Sequence, residues 1–368
     1  MRKLLNACVQ IVLAMVCLQQ AAYSCRGGPS LNEALGPGWN LLEMPGQNFR
    51  GALSSLLGTT LLGDQSGHPI QWQRTVDAEI QDLRSALTEA SLNPTSIEEI
   101  ISEYESLRNE IKVYYHGDQV DTFFLYQGMN KQPLYDLTPS NRLLERIPIE
   151  FSLYIQGANL WHAGLWDEAI RVWQELLSLP AAQRRWRSTW AAFMIGKTHI
   201  ITLTDGHIPA FEQTRELAGQ GYHDSLCLAA ESSGWQAMVE RKQGNLIRAL
   251  HLYCDFYRSS SGWQRPWADI SLMWVCKELV RRQLEESAQD PLAREVIATW
   301  IICSQYYFRG GTSKDYQPWL NAVREKGLTV NPDSSERLAW ACYRNGDIEG
   351  ARYWTQQNPE PSARVKGI

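Results

Sequence analysis

The apolar residues of this chain set a helical period early. From Thr75 onward Val76, Ile80, Leu83 and Leu87 recur at steps of four, three and four, the spacing of one face of an α-helix. Asn93-Pro94 interrupts the pattern, and Thr95 or Ser96 stands where a second helix would be capped. In that second segment Ile97, Ile100, Ile101, Tyr104, Leu107 and Ile111 form one stripe opposite a strongly acidic face. The two stripes predict a helical hairpin near 75–113, with its glutamates in solvent rather than paired for chemistry. Before it, residues 26–72 are rich in Gly, Pro and Leu without sustained period, which predicts an irregular segment with short helical or extended pieces. After it, residues 114–148 are aromatic and turn-rich, a structured loop or short ribbon that separates an N-terminal part from the body of the chain. From Ile149 the pattern is helical almost throughout and strand alternation is nearly absent. The expected fold class is all-α, with an irregular segment over 25–148 and a helical body over 149–368.

The helical body repeats itself. Gly157, Gly164 and Ala169 are spaced by seven and five residues, as are Ala237, Gly244, Ala249 and Ala339, Gly346, Ala351. At ordinary Gly and Ala frequencies about 0.4 such triplets would arise by chance in this length; three occur. Each is followed by an aromatic at a similar distance: Trp173, Tyr253 and Trp354. An antiparallel helix pair accounts for all four positions. The first small residue lets the second helix approach, glycine permits the turn, alanine sits at the crossing, and the aromatic fills the space toward the next pair. Asp167 and Asp347 fall in the first turn of the second helix, where negative charge suits the dipole. Gly157 costs about 1 kcal/mol against alanine within a helix, so its presence there points to a packing need.

These spacings resemble the tetratricopeptide repeat, a helix-turn-helix unit of about 34 residues. The matching segments are 150–181, 230–262 and 332–359, and the stretch "RWRSTWAAFMIGKTHIITLTDGHIPAFEQTRELA" fits a further unit with Ala191 and Ala192 near the crossing and Asp205-Gly206 at the turn. The distance from Gly244 to Gly346 leaves room for two degenerate units. The resemblance implies an α-solenoid whose groove binds a peptide or a partner protein.

The N-terminus carries a different signal. "MRKLLNACVQIVLAMVCLQQAAYSC" has two basic residues, an apolar stretch from Leu4 to Leu18 and small residues before Cys25, the layout of a secretory signal peptide over residues 1–24. The apolar stretch is short and broken by Asn6 and Gln10, which argues against a membrane span. "AYSC" resembles the lipobox of bacterial lipoproteins, although Ala22 and Tyr23 stand where that motif has Leu and a small or β-branched residue. The resemblance implies lipidation of Cys25; the other reading is ordinary cleavage with Cys25 merely nearby. Either way the expectation is an exported protein, periplasmic or associated with the outer membrane. Cys227, Cys254, Cys276, Cys303 and Cys342 have no C-x₂₋₄-C spacing, so no structural zinc site is expected, and disulfides remain open.

Composition narrows the function classes. A net charge of −5 with no dense Lys/Arg block disfavours a nucleic-acid partner. Fifteen tryptophans supply both core bulk and material for ligand platforms. The seven histidines form no metal-ligand pair, and no Walker loop, dinucleotide fingerprint or G-x-S-x-G is present. No cofactor, metal or catalytic residue is expected. Arg184, Arg185 and Arg187 form the one basic cluster, able to receive an acidic peptide or headgroup. Trp161 and His162 have no counterpart in the other repeats and join the arginines as candidate partner-binding residues. Two functions fit: a non-enzymatic envelope scaffold binding a protein or peptide, or a helical envelope protein that binds or cleaves carbohydrate such as peptidoglycan. Acidic residues beside exposed tryptophans would favour carbohydrate; a groove lined by Asn, Arg and Lys would favour peptide.

Overall fold

The computed structural model describes residues 49–59, 71–116, 141–260, 264–307 and 313–360. Cys25, the signal-like segment and most of the aromatic stretch before Ile149 lie outside these residues. The fold is all-α and solenoid-like, built from consecutive helix pairs, with no strand among the described residues. The chain divides into two compact units, Met1–Glu43 with Pro69–Ala191, and Met44–His68 with Ala192–Ile368.

The second unit contains the first described helix, a short piece of the kind expected within residues 26–72. Within the segment expected to be irregular, α1 (Phe49–Leu56) buries Phe49 and Leu53 in that unit's core, joined by Leu57 just beyond its end. These fall at i, i+4 and i+8, a helical stripe. Polar contacts fix it: Ser54 Oγ and the Tyr257 hydroxyl lie 2.7 Å apart, and Arg50 pairs with Asp269 at 2.6 Å.

In the first unit the hairpin is α2 (Gln71–Glu89) and α3 (Pro94–His116). Its stripe residues Val76, Leu83, Leu87, Ile97, Ile100, Ile101 and Tyr104 are buried. Asn93 rather than Thr95 or Ser96 caps α3, its Oδ1 accepting from the Ser96 amide at 2.9 Å. With Pro94 opening the helix, the residue before it is the one left outside to act as cap. Glu98, Glu99 and Glu103 face outward and pair with Arg84 or Arg146. After the short α4 (Asn141–Arg146) come α5 (Ile149–His162) and α6 (Trp166–Ser178).

The α5–α6 pair shows how the repeat works. A Cβ on Gly157 would lie 2.7 Å from Cδ1 of Trp173, so only glycine lets the indole seat against the helix. Trp173 is fully buried, and its Nε1 donates to the Tyr154 carbonyl at 3.3 Å. Gly164 adopts φ +80°, the left-handed conformation that glycine takes at no steric cost. Ala169 is fully buried at the crossing.

The second unit continues with α7 (Ser188–Thr202, of which residues from Ala192 onward belong to it), α8 (His207–Gly219), α9 (Leu228–Gln243) and α10 (Leu246–Ser259). Then follow α11 (Arg265–Arg282), the six-residue α12 (Leu284–Gln289), α13 (Pro291–Tyr307), α14 (Ser313–Glu325), α15 (Pro332–Arg344) and α16 (Ile348–Gln356). In the pairs α9–α10 and α15–α16, Gly244 and Gly346 take φ +89° and +78°, and Ala237, Ala249, Ala339 and Ala351 are fully buried. Asp347 is the cap of α16 rather than a first-turn residue, its Oδ1 accepting from the Gly350 amide at 2.8 Å.

The α7–α8 pair forms where a unit was expected, with Asp205-Gly206 in the turn between its helices, but its details differ. Gly196, not Ala191 or Ala192, is the small residue of approach: a Cβ there would lie 2.6 Å from the Phe211 ring. The left-handed position of its turn is Leu203, at φ +56°, whereas Gly206 has ordinary negative φ. The spacing of seven from Gly196 to Leu203 is that of the other three pairs.

Candidate functional site

The three clustered arginines occupy three environments in the first unit. Arg185 is exposed, pairs with Glu89 at 3.0 Å and lies over the Trp186 ring. Arg184 is half-buried and donates to the Leu179 carbonyl and Ser188 Oγ. Arg187 is completely buried, with Nη1 on Asp82 Oδ2 at 2.7 Å and Nη2 on the Glu79 carbonyl. Its guanidinium carbon stands 4.4 Å from the Phe151 ring centroid and 4.3 Å from that of Trp190, a desolvated cation held between aromatic rings.

That arginine belongs to a larger buried network. Glu79 pairs with Arg108 at 2.7 Å, both buried. The Glu150 carboxylate accepts from the backbone amides of Trp186 and Arg187, each at 2.7 Å, and so caps the approach to α7 from another helix. Burial outweighs those bonds and the nearby Arg187 charge, pushing the Glu150 carboxyl up to about 7. Burial also raises the Tyr154 and Tyr104 hydroxyls, with Glu79 adding to both. The carboxylates are committed to arginines or backbone amides within the core, an arrangement that ties α2, α3, α5 and the start of α7 together.

Trp161 is buried and meets His162 edge-to-face, with ring centroids 5.2 Å apart. The repeat residues Gly157, Gly164, Ala169, Ala237, Gly244, Ala249, Ala339, Gly346 and Ala351 all sit within helix pairs, at approach, turn or crossing positions as described above.

A concave site lies in the second unit at the turn ends of the helix pairs, a depression of about 580 Å³. Ile208 lines it from the first turn of α8, Glu240 and Gln243 from the end of α9, Asn245, Ile247 and Arg248 from the start of α10, and Gln283 from the end of α11. Its one carboxylate is closed: Glu240 accepts from Arg248 Nε and from Asn245 Nδ2, both at 2.8 Å. Gln283 Nε2 donates to the Gly244 carbonyl at 2.7 Å. Gln243 is exposed. The lining therefore offers amide donors and acceptors, two isoleucines and an arginine, with no second carboxylate for acid–base work. No pattern in the sequence marks these residues, because they come from four segments and only the stacking of turns assembles them.

Two lysine–aromatic contacts lie on the first helices of the same unit. Lys197 Nζ stands 5.0 Å from the Trp235 centroid and 5.6 Å from that of Phe193. Its amine is lowered from the ordinary lysine range by burial, against the opposing pull of Glu231, which accepts from Trp235 Nε1 at 3.2 Å. On α11, Trp267 and Trp274 are 44% and 37% exposed, with Lys277 Nζ 5.7 Å from the Trp274 ring. Seven residues apart, they share a helix face about 10 Å from one another.

Among the described residues no group of three His, Cys, Asp or Glu side chains is placed to hold a metal ion, and no helix is long and apolar enough to cross a membrane. No known family model matches the chain, nor does any curated protein or solved structure.

Proposed function

We propose that this protein is a non-enzymatic scaffold of tetratricopeptide-like helix pairs, exported to the bacterial cell envelope, that binds a protein or peptide segment in the turn-edge depression of its second unit. One observation carries the reading: the depression is lined by Gln243, Asn245, Gln283 and Arg248, while its single carboxylate, Glu240, is bound internally. Side-chain amides both donate and accept, so they can satisfy the backbone of an extended chain without demanding a particular sequence. A glycosidase would need two available carboxyl groups, and this site has none.

A photo-crosslinking residue at Gln243, in the full chain expressed in its native envelope, tests the reading directly. The expected product is a discrete protein adduct, missing when the same residue replaces exposed Glu98 on the first unit. A product at both positions, or at neither, refutes the site. Export and lipidation at Cys25 belong to the same proposal; failure of Cys25 to incorporate labelled fatty acid while the protein still reaches the envelope would leave a soluble periplasmic scaffold.

The exposed pair Trp267 and Trp274 supports the second reading, a carbohydrate-binding envelope protein. Flat indoles about 10 Å apart on one helix face can stack on an extended glycan. Quenching of tryptophan fluorescence by soluble peptidoglycan fragments, abolished in Trp267→Ala, is the result expected if that face rather than the depression is the binding surface.

A further inference from the structure

The first helices of successive pairs in the second unit lie side by side. Gln264, just before α11, donates through Nε2 to the carbonyl of Cys227, just before α9. Near the other ends of the same helices, Arg241 pairs with Glu278 at 3.0 Å. Both contacts join residues 37 apart, so α9 and α11 run parallel and in step. Lys197 of α7 reaches Trp235 of α9, its Nζ 5.0 Å from the ring centroid. With packed helices about 10 Å apart, the three span about 20 Å.

These three helices carry uncompensated positive charge. The structure describes the side chains of four lysines. Lys326 pairs with Glu285, whereas Lys197, Lys242 and Lys277 pair with no carboxylate among the described residues. All three stand on the first helices, one on each. Lys197 lies over Phe193 and Trp235, and Lys277 over Trp274, where a ring holds an ammonium without neutralising it. Lys242 is exposed two turns after Trp235, on the same side of α9. The four carboxylates of these helices are committed elsewhere. Glu231 accepts from Trp235 Nε1 and Glu240 from Arg248, while Asp269 pairs with Arg50 and Glu278 with Arg241 and Arg282. On α11 the exposed indoles Trp267 and Trp274 complete the face.

We infer that this face binds an acidic glycan, whose sugars stack on Trp267 and Trp274 and whose carboxylates pair with Lys277, Lys242 and Lys197. This rests on the carbohydrate reading above and uses none of the residues that line the depression. The ligand's charge follows from three lysines without internal partners in a chain of net charge −5: the face attracts the anion that the remainder repels. Burial lowers the Lys197 amine, and a carboxylate arriving beside it offsets that cost. A glycan fits better than an acidic peptide because the indoles share one helix face about 10 Å apart. Between them Ile270 is apolar and the Ser271 hydroxyl is bonded to Tyr253, which leaves a peptide backbone few hydrogen-bond partners.

The test measures binding to the full chain by titration calorimetry, with hexagalacturonate, its fully methyl-esterified form and hexaglutamate as probes. The free acid should bind, and the neutral ester and hexaglutamate should each bind about tenfold more weakly. Trp267→Ala and Lys277→Gln, both checked for native circular dichroism, should each weaken the acid about fivefold. Equal binding of acid and ester overturns the ligand's charge and leaves the carbohydrate reading standing. Tighter binding of hexaglutamate than of the acid overturns the glycan and makes the face a site for acidic peptides. Binding of the acid unchanged in both variants overturns the face. Failure of acid and ester alike to bind overturns the inference together with the carbohydrate reading.

Discussion

Arg187→Met should be among the most damaging single substitutions in the first unit, although its neighbour in sequence, Arg185, should tolerate the same change. Arg187 is fully buried against an almost fully buried Asp82. Methionine fills the slot between Phe151 and Trp190 but takes the Arg187 charge from the Asp82 carboxylate and the guanidinium donor from the Glu79 carbonyl. Removing one member of a buried pair costs about 3–5 kcal/mol. At roughly 4 °C per kcal/mol for a domain of this size, the melting temperature of the transition that includes this unit should fall by about 12–20 °C. Arg185 pairs with Glu89 in solvent, both about half exposed, so Arg185→Met should cost about 0–1 kcal/mol. Thermal unfolding followed by circular dichroism distinguishes the two. Adding Asp82→Leu to Arg187→Met should recover more than half of the loss, because two apolar residues can replace a buried pair at little net cost. The reasoning is refuted if Arg187→Met and Arg185→Met behave alike, or if the double variant is as unstable as the sum of its singles.

Glu150 sets a pH dependence. Its carboxyl is raised in the fold from an ordinary 4.5 to about 7, so its contribution to stability is fully present below about 4.5 and lost as pH rises through about 7. At about 1.4 kcal/mol per tenfold change in proton affinity, that window amounts to roughly 3 kcal/mol, and Glu150→Gln should flatten it in urea titrations at successive pH values. Gly157→Ala should destabilise by about 1–3 kcal/mol, since overpacking against Trp173 and the lost indole hydrogen bond exceed the gain in helix propensity; a shifted tryptophan emission should accompany the lower melting temperature. Gly219→Ala, at a helix position with open space around it and ordinary φ, should instead stabilise by about 0.5–1 kcal/mol in the same assay.

What could be read in the sequence was whatever local chemistry dictates. The three Gly/Ala triplets were visible because turn and crossing constraints act at fixed spacing along the chain, and Glu98, Glu99 and Glu105 of α3 read correctly as solvated. The fourth helix pair was legible as a unit with its turn at Asp205-Gly206, but not the left-handed residue of that turn, because a left-handed leucine leaves no compositional mark. The helix at Phe49–Leu56 is a short piece of the kind expected in the Gly- and Pro-rich stretch, whose composition did not say where it would fall. Glu79 and Asp82 flank the stripe of α2 like any solvated pair; they are buried because Arg108 and Arg187 reach them from distant parts of the chain. Arg184, Arg185 and Arg187 look equivalent as a basic cluster, yet the turn that carries them just before α7 sends one into the core, one to solvent and one to the Leu179 carbonyl.

Repetition within one chain supplies a comparison that separates packing from function. Where the helix pairs agree, at the small residue of approach, the buried alanine and the left-handed glycine, the requirement is geometric and every pair must meet it. Where they differ, the side chain's surroundings decide what the difference means. Gly157 is smaller than Ala237 and Ala339, but Trp173 occupies the space released, so that departure is closed within the fold. Leu203 is larger than the glycines it replaces and nothing in its own unit encloses it. The alanine holds in all four pairs: Ala169, Ala210, Ala249 and Ala351 are each the fourth residue of the second helix, and each is buried. A deviation compensated inside the molecule is a packing variant, and the cost of a left-handed residue such as Leu203 or Ser91 is met by the packing of the helices on either side of its turn.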